Sequence, residues 1–318
     1  MNLTPAQEES FARDGYLVVE GVLDQETVIQ PVRDEYAALL DALYDAWHRE
    51  GLVKIAPETL DFDGKLREAY RAGCDWFQPM DISLPGDRIM ADTPMHFGPA
   101  VFNLLTCPRL LDLVEAFIGP EITSNPIQHV RIKPPALELK ANEVRPHVGP
   151  TRWHQDRGVA HPEADTTKIV TVWCAISDAT TQNGCLQVIP GAHKGELLPH
   201  CPQTQLSIVE SALDSSRARP VPVKSGGVLF LDPGLPHSSL DNRSQGFRWS
   251  FDIRYSRTGD PTGRAHFPSF VARSRENPDS VLKSWEVWRK MWEDARARLA
   301  EQPHIPIHRW RADAPHCA

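Results

Sequence analysis

The residues of this sequence whose types and spacing could perform chemistry are histidine and aspartate. Among its 13 histidines, His154 is followed two positions later by Asp156. On a strand, side chains two residues apart point to the same face, so this imidazole and this carboxylate can converge on one metal ion. A distant histidine would complete a set of two histidines and one carboxylate. Such a set leaves adjacent positions open on Fe(II), where a chelating cosubstrate and O₂ can bind.

The spacing alone does not distinguish a metal site from an ordinary surface pair of histidine and aspartate. A His-x-Asp sequence is expected by chance in a chain with this many of both residues. His161 and Glu163 show a similar spacing, but Pro162 between them is unsuited to a central strand, and we discount that pair. The residues around His154 and the rest of the chain must therefore decide.

A candidate third ligand and a candidate anion-binding residue lie further along the chain. The apolar run at 226–231 predicts a strand that ends before Pro233, and His237 follows just beyond it. The next predicted strand, at 247–255, alternates between apolar and polar side chains. Its polar face consists of Arg248, Ser250, Asp252 and Arg254. This pattern fits a solvated sheet edge and a wet barrel interior equally well, and both remain open.

The elements that must position these residues form a helical first part and a strand-rich second part. Thr4 and Pro5 predict a helix start, a longer helix is predicted from about 24 to 51, and 100–118 predicts a buried helix interrupted at Pro108. Residues 52–94 show no assignable pattern. Short strands are predicted at 127–133, 168–176, 185–189, 219–223, 227–231 and 247–255.

Short strands separated by proline and glycine are typical of an antiparallel barrel or jelly roll. We therefore predict a mostly β fold with flanking helices around an antiparallel barrel or jelly-roll core. We expect a single domain over 1–318, with a helical part at about 1–120, the jelly roll at about 121–257 and a helical tail at about 258–318. In that tail, a helix is predicted from Asp279 to Gln302, with a tryptophan stripe that packs on the barrel or contacts a second subunit.

Composition excludes several classes of protein. The chain of 318 residues has a net charge of −8 and a pI near 5.9, which argues against binding nucleic acid. There is no apolar run long enough to span a membrane, and the amino terminus does not resemble a secretory signal. The six cysteines are scattered without a C-x-x-C pair, so we expect reduced thiols in a cytoplasmic protein. Walker A, G-x-S-x-G and G-x-G-x-x-G motifs are absent from the sequence.

Four blocks in order resemble the phytanoyl-CoA dioxygenase family of Fe(II)/2-oxoglutarate oxygenases. The first is Phe11-x-x-Asp14-Gly15-Tyr16 with the apolar residues after it, and the second is Trp153-His154-Gln155-Asp156. The third runs from Trp173 through Asn183-Gly184 to Pro190-Gly191-Ala192-His193-Lys194. The fourth is His237, with Arg248 eleven residues later. Together the blocks extend over most of residues 8–255.

The resemblance implies a cupin-like, double-stranded β-helix (jelly-roll) core and a role for each matching residue. His154, Asp156 and His237 would be the ligands of Fe(II), and Arg248 would hold the distal carboxylate of 2-oxoglutarate in the bidentate geometry that a guanidinium favours. Ser250 could donate to the same carboxylate, and Trp173 would line the cosubstrate pocket. His129 or Gln128 would occupy a family segment that contacts 2-oxoglutarate. The implied reaction consumes O₂ and 2-oxoglutarate, releases succinate and CO₂, and hydroxylates a small-molecule substrate.

Two alternatives remain open at this stage. One is a jelly-roll protein that binds the metal and 2-oxoglutarate without turnover. The other is a cupin-like isomerase or hydrolase that uses Zn²⁺, in which Arg248 has no obvious purpose. Arg254 either contacts an anionic substrate or pairs with Asp252. We expect no nucleic-acid or membrane partner, and the tryptophan stripe permits a homodimer without requiring one.

Overall fold

The computed structural model describes residues 2–140, 143 and 148–317. Helix α1 (Pro5–Asp14) begins at Thr4, whose side chain and that of Gln7 each bond the other residue's backbone N–H. It ends at Gly15, which has a φ of 81°. Both ends are where the capping pattern predicts them. The chain enters strand β1 (Tyr16–Val19) immediately afterwards.

The remaining amino-terminal helices form a layer over one face of the main sheet. Helix α2 (Gln30–Arg49) buries residues four apart, Val32, Tyr36, Leu40 and Tyr44. Helices α3 (Phe62–Ala72) and α4 (Phe77–Met80) lie in the stretch that showed no assignable pattern. Helices α5 (Pro99–Leu105) and α6 (Pro108–Ile118) divide at Pro108, as the sequence predicts. Proline begins a helix readily because its missing N–H would be unpaired there anyway.

The strands form two larger antiparallel sheets and one short hairpin. The six-stranded sheet has the order β1, β8 (Val228–Leu231), β3 (Ile169–Ala175), β10 (Arg248–Arg257), β2 (Ile122–Lys133) and β11 (Phe270–Arg273). The three-stranded sheet has the order β7 (Arg219–Val221), β4 (Leu186–Val188) and β9 (His237–Ser239). Strands β5 (His200–Pro202) and β6 (Leu206–Ile208) pair with each other. Every predicted strand region contains a strand.

Strand β10 separates the helical core from a polar interior. Its apolar side chains pack under the helices: the ring of Tyr36 lies 5.1 Å from that of Trp249 and 5.8 Å from that of Phe251. Its polar side chains face the other way and are equally buried, at 0% exposure for Arg248 and 4% for Arg254. The polar face therefore lines an enclosed interior and is not a solvated edge.

The carboxyl-terminal part departs from the expected helical tail. It contributes β11, which pairs with β2 at the edge of the six-stranded sheet. Helix α8 (Trp285–Ala300) begins at Ser284 and not at Asp279, because the Ser284 hydroxyl accepts the hydrogen bond from the Val287 N–H. Two of the stripe's tryptophans pack on Phe97 inside the same chain, Trp292 stacked on its ring and Trp288 edge-on. They pack on the domain itself and need no second subunit.

The proportion of helix also differs from the prediction. Among the described residues, α-helical residues outnumber strand residues, so the architecture is mixed helix and antiparallel sheet rather than mostly β. The helices are needed because they cover the apolar face of the six-stranded sheet. Within residues 2–140, 143 and 148–317, no helix is both long enough and apolar enough to cross a membrane.

One disulfide contradicts the expectation of reduced thiols. Cys201 on β5 is bonded to Cys317, 116 positions later. The cysteine spacing could not predict this pair, because a bridge between remote residues depends on how the carboxyl-terminal tail folds back. A few residues before Cys317, the tail is held by the Trp310 indole N–H, which donates to the Gly158 carbonyl, and by Arg309, which pairs with Asp165. Cys74, Cys107, Cys174 and Cys185 are buried and unpaired.

We expect reduction of this disulfide to destabilise the protein. A crosslink of this kind limits the unfolded chain, and its loss should lower the free energy of unfolding by about 2–4 kcal/mol. Urea unfolding with and without dithiothreitol would measure the difference. The double substitution Cys201→Ala with Cys317→Ala is the control and should make stability independent of the reductant. A wild-type protein that is unaffected by the reductant would contradict the bridge.

Candidate metal and cosubstrate site

The residues of the expected metal set come from two separate segments of the chain. His154 and His237 exchange backbone hydrogen bonds as an isolated antiparallel bridge, with N···O distances of 3.0 and 2.9 Å. The sequence predicted Asp156 on a strand, but it begins the short helix α7 (Asp156–Val159). The turn into α7 still brings its carboxylate to the same side as the imidazoles. The predicted convergence is therefore present, although the turn produces it and not a strand.

The three side chains converge on one point. The His154 Nε2 lies 3.5 Å from Asp156 Oδ1, and the His237 Nε2 lies 4.0 Å from Asp156 Oδ2. The two imidazole rings are 4.2 Å apart between centroids. All three ligand atoms lie within 4.8 Å of one another. Ligand atoms about 2 Å from a common ion are separated by such distances, so the arrangement can hold a divalent metal.

The backbone sets the tautomer of both imidazoles. His154 Nδ1 donates to the Arg152 carbonyl at 2.9 Å, and His237 Nδ1 donates to the Leu235 carbonyl at 3.0 Å. Because a carbonyl oxygen can only accept, each ring carries its proton on Nδ1. The Nε2 lone pairs therefore point to the site, in the arrangement usual for histidine ligands whose other nitrogen is hydrogen-bonded to the protein.

The charge of Asp156 is held by a buried arginine. Arg254 Nη2 contacts Asp156 Oδ1 at 2.5 Å, and the Thr171 hydroxyl donates to Oδ2 at 2.6 Å. Burial alone would raise the pKa of Asp156, but Arg254 and the two histidines hold it well below its usual range. The nearest contact of Arg254 is thus Asp156. Its pairing with Asp252, at 3.4 Å, is the more distant of the two.

His237 is kept neutral by its surroundings. Burial, followed by the proximity of His154, lowers the pKa of His237 to about 4, despite the opposing effect of Asp156. A histidine with this pKa is unprotonated at neutral pH and can donate its lone pair to a metal. The site therefore combines an ionised carboxylate with a neutral imidazole.

Gln155 holds the ligand segment against the rest of the fold. Its backbone N–H donates to His200 Nε2 at 3.0 Å, and its side chain donates to the Gly234 carbonyl at 2.8 Å. His200 donates in turn to the Leu198 carbonyl, and its ring stacks on Trp310. The sequence offered no signal for His200, because its partners come from distant segments of the chain.

Arg248 is buried with only one side-chain hydrogen bond. Its Nη1 donates to the Ser250 hydroxyl at 2.6 Å, while Nε and Nη2 are buried and have no partner among the described residues. The guanidinium lies 5.2 Å from the centre of the Trp173 ring. Burial and the nearby Arg131 lower the pKa of Arg248 to about 9, so it stays positive at neutral pH. Unpaired donors of this kind are costly to bury unless an acceptor occupies the space beside them.

Lys133 is a second buried basic residue that sequence reasoning missed. It lies directly opposite Arg248 in the register of β2 and β10. Its ammonium donates to the hydroxyls of Thr151 and Ser239 at 2.9 and 2.6 Å. Burial and then Arg248 lower the pKa of Lys133 well below its usual value. Its place at the end of the predicted strand 127–133 was a signal, but only the pairing of β2 with β10 reveals its neighbour.

The expected contacts at His129 and Gln128 separate onto opposite faces of β2. His129 lies on the same face as Lys133, and its Nδ1 bonds Asp81 at 2.8 Å. Gln128 points into the helical layer, where its amide donates to the Ile82 carbonyl at 2.8 Å. The geometry therefore keeps His129 near the site and removes Gln128 from it.

Three other candidates do not provide metal ligands. Among the described residues, Cys201, His316 and Cys317 also converge, but the disulfide consumes both thiols. His161 bonds the Pro306 carbonyl, which gives it a structural role. His193 packs against Gly15, where an added Cβ would lie 2.4 Å from the imidazole.

Comparison with known proteins agrees with the features found in the sequence. The family model described as Phytanoyl-CoA dioxygenase (PhyH) matches residues 11–250. The peroxisomal phytanoyl-CoA dioxygenase of Bos taurus is 32% identical over 184 residues, covering 56% of this chain and 50% of that protein. The chain thus spans about half the length of this relative.

Solved structures show the same fold at low identity. The non-heme monooxygenase ThoJ in its apo form superposes with a TM-score of 0.57 at 16% identity, covering 92% of this chain and 97% of that one. EctD from S. alaskensis, solved with 2-oxoglutarate and 5-hydroxyectoine, superposes with a TM-score of 0.53 at 19% identity, covering 81% and 77%. The family match extends from α1 to the first residues of β10 and includes all three residues of the metal set, and the chain therefore belongs to the phytanoyl-CoA dioxygenase (PhyH) family.

Proposed function

We propose that this protein is an Fe(II)- and 2-oxoglutarate-dependent oxygenase that hydroxylates a small-molecule metabolite. The observation that carries the proposal is the convergence of His154, Asp156 and His237 in one interior with the buried, incompletely paired Arg248. Three metal ligands alone are compatible with many reactions. Three metal ligands together with a separate buried cation suit a cosubstrate that chelates the metal at one end and carries a second carboxylate at the other. Relatives named dioxygenases and the EctD structure with 2-oxoglutarate support this reading.

The proposed scaffold is a double-stranded β-helix within a single domain over 1–318. The six-stranded and three-stranded sheets supply its two sides, with β9 carrying His237 and β10 carrying Arg248. The helices before residue 120 cover the outer face of the larger sheet. This division supports the proposed jelly-roll core at about 121–257, to which β11 and helix α8 are added.

The residues of the metal set fit Fe(II). Two neutral imidazoles and one carboxylate on the same side leave the opposite positions free, which is the pattern of non-heme iron oxygenases. When bound, Fe(II) with 2-oxoglutarate and O₂ supplies oxidative decarboxylation to succinate and CO₂ together with oxygen transfer to a C–H bond. The protein's part is to hold, orient and shield the reactants.

The chain's own residues provide the cosubstrate's distal end with a matched pocket. Arg248 offers two guanidinium nitrogens without a described partner, and the Lys133 amine lies beside it. The Ser239 and Ser250 hydroxyls, which bond these two basic side chains, complete the polar surface. Trp173 forms the wall over the guanidinium. We propose that this group binds the distal carboxylate of 2-oxoglutarate.

Arg254 would act through Asp156 and not on the substrate directly. By holding the carboxylate ionised, it keeps a metal ligand available, and it restricts the rotation of that carboxylate. The Thr171 hydroxyl fixes the second oxygen. Removal of partners of this kind from a metal ligand typically weakens metal binding about 10- to 100-fold.

We propose a small-molecule substrate, no nucleic-acid or membrane partner, and a homodimer only as an option. The net charge of −8 supports the absence of nucleic acid. We retain the cytoplasm as the proposed location, although a disulfide such as Cys201–Cys317 is uncommon in a reducing compartment and the Bos taurus relative is named peroxisomal. A Zn²⁺ isomerase or hydrolase leaves Arg248 unexplained, and a silent binding protein would show binding without succinate.

The first test is an anaerobic titration of the apoprotein with Fe(II) and then with 2-oxoglutarate. Binding is monitored by the visible charge-transfer absorption band. We expect the band in wild type, and none in Asp156→Ala because a ligand is missing. Arg248→Ala should retain metal but bind 2-oxoglutarate at least 100-fold more weakly, because a buried carboxylate loses its charged partner. Arg13→Ala, which changes an exposed arginine, is the control. An unchanged affinity in Arg248→Ala would disprove its assignment.

A second test concerns the pH dependence of metal binding. Protons compete with the metal for its ligands, so wild-type binding of Co(II) should weaken as the pH falls toward about 4, the pKa of His237. Arg254→Gln leaves Asp156 buried without its cation, which raises the pKa of that carboxyl. We expect the variant to lose Co(II) at higher pH than wild type, as read from cobalt absorption. Arg254→Lys should fall between the two, and identical profiles would refute the role of Arg254.

A further inference from the structure

A cavity of about 230 Å³ opens beside the proposed metal centre. His154 and Arg254 form its inner end, and Ile307 and His308 from the carboxyl-terminal segment form part of its wall. None of the described residues lining it is acidic, although the chain as a whole carries a net charge of −8. Its lining includes three arginines and three histidines: Arg131, Arg254, Arg264, His129, His154 and His308.

Arg264 differs from the other two arginines in its partners. Arg254 is neutralised by Asp156, and Arg131 lies 3.5 Å from Asp252. Arg264 is 1% exposed and donates through Nη2 to the carbonyls of Val159 and Ile307. Its Nε is buried without a partner, and no described carboxylate pairs with it. It is a full positive charge that only neutral groups stabilise, and burial followed by Arg254 lowers its pKa to about 9.

Two features of the cavity wall complete a binding surface. His308 has a buried Nδ1 with no hydrogen-bond partner among the described residues, so it can serve an additional polar group. Ile127, Val159, Leu206 and Ile307 supply apolar surface. A volume of 230 Å³ is below the roughly 300–1,000 Å³ of pockets for drug-sized ligands. The space therefore suits a compact molecule with one charged end and a short apolar body.

The cavity does not include the residues proposed to hold the distal carboxylate of 2-oxoglutarate. Arg248, Lys133 and Trp173 are not among the residues that line it. Arg264 comes from the loop before β11, whereas Arg248 begins β10. Two buried guanidinium groups thus lack a described carboxylate partner at two separate places, and one cosubstrate anion cannot account for both.

We infer that this cavity binds the substrate and that the substrate is a small organic anion, with its carboxylate or phosphate oxygens held by Arg264 and its apolar body directed at His154. This inference rests on the proposed oxygenase function and specifies the chemical class of its substrate. A guanidinium matches either oxyanion with two parallel hydrogen bonds. In this arrangement Arg264 fixes one end of the molecule and thereby selects which C–H bond faces the metal.

The experiment is a binding measurement on the full-length protein loaded with Ni(II) and saturated with 2-oxoglutarate, which prevents turnover. The probes are straight-chain monocarboxylates from butanoate to octanoate, their primary amides, and the corresponding alkyl phosphates, measured by calorimetry. We expect at least one acid or phosphate to bind about tenfold or more tightly than its amide, as a hydrogen bond to a charged group implies. The relative affinity of carboxylates and phosphates shows which oxyanion is preferred.

Arg264→Gln should reduce binding of the anion to the level of the amide. Because this change removes hydrogen bonds to Val159 and Ile307, a second variant is needed that leaves them intact. Gln203→Glu alters an exposed residue of the cavity wall and adds a negative charge of nearly the same shape. It should weaken anion binding severalfold and leave amide binding unchanged. Arg13→Gln is the matched control at an exposed arginine and should behave as wild type.

The outcomes separate this inference from the function on which it rests. Equal binding of acids and amides by wild type, or anion binding unaffected by both Arg264→Gln and Gln203→Glu, would overturn the inference while the Fe(II)/2-oxoglutarate absorption band remains. Displacement of 2-oxoglutarate by the acids would also overturn it, because the anion would then occupy the cosubstrate's place. A wild-type protein that never forms the band would instead refute the oxygenase function.

Discussion

The interior of this protein depends on the pairing of Asp156 with Arg254. Both side chains are nearly inaccessible, and the carboxylate lies among two imidazoles that must stay neutral to bind a metal. Loss of one partner of a buried pair typically costs about 3–5 kcal/mol, because the other charge is left uncompensated. The pair also connects the two halves of the site, since Asp156 begins α7 and Arg254 lies on the central strand β10.

The distribution of the remaining charges follows from this pairing. With Asp156 and Asp252 engaged by Arg254 and Arg131, the interior has no described carboxylate left for Arg248 or Arg264. Each of these two is stabilised only by neutral groups, hydroxyl in one case and carbonyl in the other. An anion bound beside each arginine would supply the charge compensation that the described residues do not provide.

The carboxyl-terminal segment joins these features to the rest of the fold. Trp310 stacks on His200, which accepts the backbone hydrogen bond of Gln155 between the two metal residues. Ile307, a few residues earlier, accepts from Arg264 through its carbonyl. The bridge from Cys201 to Cys317 ties the end of the segment to β5. The tail therefore supports the back of the metal residues and one wall of the cavity at the same time.

The sequence by itself determined the features that depend on neighbouring residues or on motif order. The capping of α1, the division at Pro108, the strand regions and the alternation along β10 follow from local propensity and side-chain period. The family, with the metal set at His154, Asp156 and His237, was readable because its blocks recur in order.

Tertiary structure alone decided which partners meet. It placed Asp156 on a helix, turned Arg254 to Asp156 and Gln128 away, and brought Lys133 beside Arg248. It also joined Cys201 to Cys317, and it packed Trp288 and Trp292 of helix α8 against Phe97 within the same chain. These outcomes depend on contacts between remote segments, where the burial of charge and apolar surface outweighs local pattern.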